Sequence, residues 1–183
     1  MLRLRRRAAK DCRSLGGTTG ERASLYTAFG KAVDSCMEKD ESIVLVTCDT
    51  ARDLCVYDLR DKYPGRVLDA GIAEQHAVSM ASGLALSGMK PIVATYARFL
   101  TRAYEQIYNQ LTERTQVVYV GSLAGPLLPE GPGISHEARE DGALFGVCLG
   151  MKVWLPDPEN VAEWLRVALA LGMSSYMRLR HAQ

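Results

Sequence analysis

Hydrophobic positions along the chain change period in a regular way. Leu25, Phe29, Ala32, Val33 and Cys36 recur at helical spacing and predict an amphipathic helix over residues 22–39. The uninterrupted apolar run Ile43-Val44-Leu45-Val46 then predicts a buried strand. A shorter helix is expected over 54–62, ending before Pro64, with a brief strand at 66–69 and a helix over 73–87 behind it. The alternation repeats: a strand at 91–96, a helix over 99–112 with Phe99, Ala103, Ile107 and Leu111 on one face, and a strand at 116–121. Residues 122–136, with Pro126, Pro129, Pro132, Gly125, Gly131 and Gly133, read as a long loop, and long loops in compact domains are often functional. A helix over 138–149, a strand at 152–155, a helix capped by Asp157 with Pro158 in its first position, and a strand at 176–179 complete the pattern. Strands alternating with helices throughout imply an α/β fold with a doubly wound, mostly parallel sheet, and ligands at the carboxyl ends of its strands.

With 183 residues and 48% apolar content, the chain has enough material for one sizeable core and too little for two comfortable domains. Residues 21–183 are expected to form that domain. Arg3, Arg5, Arg6, Arg7, Lys10 and Arg13 precede the stretch Gly16-Gly17-Thr18-Thr19-Gly20, so residues 1–20 read as a basic tail and flexible linker. Elsewhere charge is balanced, 22 basic against 21 acidic residues, which gives no electrostatic case for nucleic acid or an anionic membrane. The tail lacks the apolar segment of a secretory signal, and no apolar run is long enough to span a bilayer. A cytoplasmic protein is the expectation; a mitochondrial transit peptide is the compositional alternative for the Arg-rich start. The five cysteines contain no Cys-x-x-Cys pair, so neither a zinc site nor a disulfide framework is indicated.

The densest polar constellation is Asp69-Ala70-Gly71-Ile72-Ala73-Glu74-Gln75-His76, at an expected strand end and helix start. Taken alone, it is equally an ordinary helix opening, with Glu74 favouring the positive terminus and Gln75 and His76 in water. The longer string changes that reading. It continues through Ala77-Val78, Gly83-Leu84-Ala85, Lys90-Pro91-Ile92-Val93-Ala94-Thr95-Tyr96, Phe99-Leu100 and Arg102-Ala103-Tyr104-Glu105-Gln106 to Gly133-Ile134-Ser135-His136-Glu137 and Tyr176-Met177-Arg178-Leu179. In this order and spacing it closely resembles the pyrimidine-binding domain of transketolases and deoxyxylulose phosphate synthases, over roughly residues 21–180.

The resemblance implies a thiamine diphosphate-binding fold and assigns roles. Glu74 matches the glutamate that bonds a ring nitrogen of the cofactor's aminopyrimidine. A carboxyl donates such a bond only when protonated, a form that a desolvated site favours, and the bond turns the cofactor's amino group into an internal base. Phe99 matches the aromatic that stacks on the pyrimidine, with core packing as the alternative; Tyr96 is a second candidate. His136 matches a histidine that reaches the substrate. His76 and Arg102 are candidates for polar contacts in the cleft, Arg102 for a phosphate or carboxylate oxygen. Asp49, at a strand end, matches an acidic residue common there. Glu137 departs from the family's usual Gln.

Members of this family hold the diphosphate through Mg²⁺ bound at a Gly-Asp-Gly motif. The sequence contains no such motif, and no other phosphate cradle. No metal ligand is therefore expected here. The resemblance then implies a split enzyme, in which a separate diphosphate-binding transketolase subunit supplies Mg²⁺ and completes a hetero-tetramer, with a third-domain subunit as a further partner. The implied activity is transfer of a two-carbon ketol unit between sugar or sugar-phosphate substrates. A deoxyxylulose phosphate synthase-like, acyloin-forming subunit and a non-catalytic regulatory module are the alternatives.

Overall fold

The computed structural model describes residues 21–126 and 132–180, so the expected basic tail and linker, and Gly131, lie outside the described residues. The elements are α1 (Glu21–Lys39), β1 (Ile43–Thr47), α2 (Leu59–Lys62), β2 (Val67–Asp69), α3 (Glu74–Leu86), β3 (Lys90–Tyr96), α4 (Ala97–Leu100), α5 (Tyr104–Thr112), β4 (Val118–Ala124), α6 (Asp141–Gly146), β5 (Lys152–Trp154), α7 (Val161–Ala170) and β6 (Ser175–Arg180). Short 3₁₀ turns occupy Thr101–Ala103 and Ile134–His136. The strands form one six-stranded sheet in the order β2-β1-β3-β4-β6-β5, parallel at every pairing. The expected doubly wound sheet is therefore present, and it is parallel throughout.

Apolar residues at successive strand positions serve opposite faces. Ile43, Leu45, Ile92, Ala94, Val118, Val120, Met177 and Leu179 pack under α1 and α7. Val44, Val46, Val93, Tyr119 and Tyr176 face α3, α5 and Phe145. A sheet covered on both faces needs strands that are apolar at nearly every position, which is why β1 and β4 are buried along their whole length. The chain runs from β1 to β2 on one side, then returns to place β3 on the other. This reversal makes the carboxyl ends of β1 and β3 the crevice where such sheets take ligands.

Several boundaries differ from expectation for local reasons. The helix expected over 54–62 shrinks to α2, because Cys55 adopts a left-handed backbone (φ 57°) and residues 51–58 form successive turns. The helix over 99–112 is interrupted at Thr101–Ala103, where the Thr101 hydroxyl donates to the Arg98 carbonyl 2.6 Å away. Strand β4 runs to Ala124, three residues into the expected loop. The helix over 138–149 reduces to α6, since Ala138 is bridged to Gly125, whose amide donates to the Ala138 carbonyl at 2.8 Å. Asp157 does not cap a helix: α7 starts at Val161, and Asn160 Oδ1 instead accepts from the Asp157 amide at 2.8 Å. Cys36, Cys48 and Cys148 are free and buried.

Candidate active site

Four loop segments meet at the carboxyl ends of the strands: those following β1, β2, β3 and β4. The β2 segment carries the central residue. Asp69 ends β2 and turns its Oδ1 back onto the amides of Asp49 (2.9 Å) and Gly71 (3.0 Å), both in the left-handed region at φ 57° and 68°. Asp and Gly are the residue types that tolerate this conformation. Clasped in this way, the chain enters α3 with Glu74 at its first position, behind Ala73, which offers no side-chain cap.

Glu74 is 1% exposed, so its carboxyl is not the solvated helix-end charge of the ordinary reading. Its Oε2 has no hydrogen-bond partner and lies 3.6 Å from Arg102 Nη1, an ion pair too long for a hydrogen bond. A buried oxygen left unpaired costs about 1–3 kcal/mol, so such an atom at a strand-end crevice is a candidate for a ligand contact. Cys48, buried just past β1, feels the electrostatic influence of Glu74. Burial pushes that thiol up to about 12, with the charge of Glu74 adding to the effect, so Cys48 is a neutral apolar neighbour.

The β3 and β4 segments supply an aromatic trio. Ring centroids of Phe99 and His136 lie 5.0 Å apart, of Tyr96 and Phe99 5.7 Å, and of Tyr96 and His136 5.8 Å, with His136 edge-on to both. All three are half-buried. The His136 Nδ1 shares a 3.0 Å hydrogen bond with Ser135 Oγ. Arg98 Nη1 ties the β3 segment to the segment after β4 through Glu140, 2.7 Å away.

The expected site residues thus fall into two groups joined by the segment 97–103, which packs against both α3 and Ile134–His136. Glu74 and Arg102 form one; Tyr96, Phe99 and His136 form the other. Asp49 borders the site, held by its amide rather than its carboxylate. His76 is exposed on α3 and contacts neither group in any hydrogen bond, ion pair or ring contact of the described residues.

Two features escaped sequence reasoning. The Tyr96 hydroxyl donates to Asp53 Oδ2 at 2.5 Å, across 43 residues. The fully buried Asp141 accepts from Arg178 Nε (2.9 Å) and Nη2 (2.6 Å) and from the Tyr176 hydroxyl (2.6 Å). Nothing in the local sequence around Asp141 pointed to a buried ion pair. Among the described residues, no group of three or more His, Cys, Asp or Glu could hold a metal ion, and no helix is long and apolar enough to cross a membrane. Two large apolar side chains flank the site in water: Ile72 is 72% exposed and Ile134 84%.

The unpaired, buried carboxyl of Glu74 beside a half-open aromatic surface fits a flat heterocycle with hydrogen-bonding ring nitrogens, as the aminopyrimidine of thiamine diphosphate is. Comparison with known proteins identifies the family. Residues 21–181 match the family model described as transketolase, pyrimidine binding domain. The chain is 36% identical over 161 residues to 1-deoxy-D-xylulose-5-phosphate synthase of Rhodococcus jostii, covering 87% of this chain and 24% of that enzyme. It is also 36% identical over 151 residues to the synthase 1 of Kitasatospora griseola, covering 81% and 23%. The chain therefore spans about a quarter of the length of these relatives. Among solved structures, a split gene transketolase described as an inactive β4 tetramer superposes with a TM-score of 0.72 at 30% identity, over 82% of this chain and 49% of that one. Transketolase from Campylobacter jejuni shares the fold at 15% identity, with a TM-score of 0.74 over 84% of this chain and 25% of that one. The chain belongs to the pyrimidine-binding-domain family of the thiamine diphosphate-dependent transketolases and deoxyxylulose phosphate synthases.

Proposed function

We propose that this chain is the pyrimidine-side subunit of a split, cytoplasmic transketolase that transfers a two-carbon ketol unit between sugar or sugar-phosphate substrates. The observation that carries this reading is the buried, unpartnered Oε2 of Glu74. Glu74 would hold a ring nitrogen of the aminopyrimidine, and Phe99, with Tyr96 beside it, would bear its flat face. Bound thiamine diphosphate supplies the carbon nucleophile for cleaving and forming bonds next to a carbonyl. His136, hydrogen-bonded to Ser135 and packed edge-on to its two aromatic neighbours, would exchange a proton with a substrate oxygen. Arg102, 56% exposed beside Glu74, keeps donors free for an anionic substrate group.

The diphosphate and Mg²⁺ are assigned to a second polypeptide on the likeness of this chain to a split gene transketolase. The inactivity of that protein as a β4 tetramer supports a need for a partner. Exposed Ile72 and Ile134, on either side of the site, suit a surface that a diphosphate-binding subunit covers. A hetero-tetramer with two shared sites follows. The 36% identities to deoxyxylulose phosphate synthases favour one alternative, an acyloin-forming synthase built on the same subunit division.

Glu74→Ala tests the assignment in the reconstituted pair. It should preserve folding and subunit assembly and remove most turnover. Wild-type turnover by the mutant would refute the role given to Glu74.

A further inference from the structure

The turn after β1 is built to a fixed shape. Ala51, Leu54 and Val56 are buried, the Val56 amide donates to the Ala51 carbonyl at 2.9 Å, and the Thr50 hydroxyl ties the turn to β3 through the Ala94 carbonyl at 3.1 Å. From beneath, α1 approaches so closely that a Cβ on Gly30 would stand 2.4 Å from the Cys55 carbonyl oxygen. Cys55 itself holds a left-handed backbone, a conformation that persists only when its surroundings impose it. Asp53 sits in the middle of this turn, half-buried, with its Oδ2 2.5 Å from the Tyr96 hydroxyl.

We propose that Asp53 is a positioning residue for the aromatic trio, acting through Tyr96. Its carboxylate takes up the Tyr96 hydroxyl and fixes the ring on which Phe99 and His136 pack, so that Tyr96 offers the ligand a ring surface and not a hydrogen-bond donor. A charge-assisted bond of this length sets orientation as well as attraction. Both partners are only half-buried, so the bond adds little to stability and its effect falls on the site. The inference rests on the function proposed above in taking thiamine diphosphate as the ligand. Its geometric part concerns this chain alone.

The test combines two readouts on Asp53→Ala, Asp53→Asn, Tyr96→Phe and the double variant Asp53→Ala/Tyr96→Phe. In the full chain alone, the ring-proton shifts of His136 report the placement of Tyr96; they should move in Asp53→Ala and return towards wild type in Asp53→Asn, which keeps an acceptor oxygen. In the complex with the diphosphate-binding subunit, Asp53→Ala should weaken calorimetric binding of thiamine diphosphate about tenfold, with an unchanged melting midpoint. The double variant should be no worse than Tyr96→Phe. Unmoved His136 shifts in Asp53→Ala, no recovery in Asp53→Asn, or losses that add in full in the double variant would overturn the proposal. A wild-type pair that fails to bind the cofactor would instead sink the functional reading, leaving the His136 shifts to decide the role of Asp53.

Discussion

Arg102 Nη1 stops 3.6 Å from Glu74 Oε2, close enough for attraction between charges and too far for a hydrogen bond. The carboxyl is buried and the guanidinium mostly exposed, so the pair does not satisfy the oxygen it faces. The site keeps an unmet hydrogen bond in the resting protein. This predicts a trade between stability and activity: Glu74→Met, similar in length and free of polar oxygens, should raise the melting midpoint by about 2–4 °C while abolishing turnover of the reconstituted enzyme. Differential scanning calorimetry beside an activity assay checks both halves.

A second prediction concerns the buried ion pair behind the site. Asp141 is inaccessible to solvent and is bonded twice by Arg178 and once by Tyr176, whose hydroxyl reaches it across the bare backbone of Gly121. Asp141 holds the Arg178 guanidinium above its ordinary range. Asp141→Asn leaves that cation uncompensated in a mostly buried place, and should cost about 3–5 kcal/mol in urea unfolding.

How far these features could be read from the sequence depends on their range. The strands were legible because a sheet covered on both faces demands apolar runs, as in Ile43-Val44-Leu45-Val46. An ordered string of motifs singled out Glu74, Phe99 and His136 as candidates, and it did so independently of local periodicity. Local periodicity could not reveal Asp53 with Tyr96 or Asp141 with Arg178, since each pair joins distant segments through the sheet. It also misjudged helices where the backbone was engaged elsewhere, as at Ala138. Asp157-Pro158 carries the sequence signature of a helix start, yet Pro158, Glu159 and Asn160 form a turn before α7 begins.

Stability should also carry a defined acid dependence. The Lys90 ammonium, 2.8 Å from Asp40 Oδ2, and the bonds from Ser42 hold the Asp40 carboxyl at about 2, below its ordinary 3.8. A folded-state value below the unfolded one gives stability that is present above pH 3.8 and lost as pH falls through about 2. Lys90→Met should therefore lower the urea midpoint at pH 6 by a small amount, and the gap from wild type should close between pH 4 and 2. A gap that widens in acid would contradict the assignment.

Gly30→Ala places a methyl group 2.4 Å from the Cys55 carbonyl oxygen, against backbone that cannot yield cheaply. It should destabilise the chain by about 1–3 kcal/mol and should shift the amide resonances of residues 51–56. If the turn carrying Asp53 is seated as described, those shifts extend to Tyr96.

The most direct test of the shared-site account is calorimetric titration of thiamine diphosphate with Mg²⁺ into this chain, into a diphosphate-binding subunit carrying Gly-Asp-Gly, and into the two mixed. Saturable binding by the mixture, none by this chain alone, and its loss on Glu74→Ala is the predicted result. Binding by the diphosphate-binding subunit that is the same with and without this chain would contradict it.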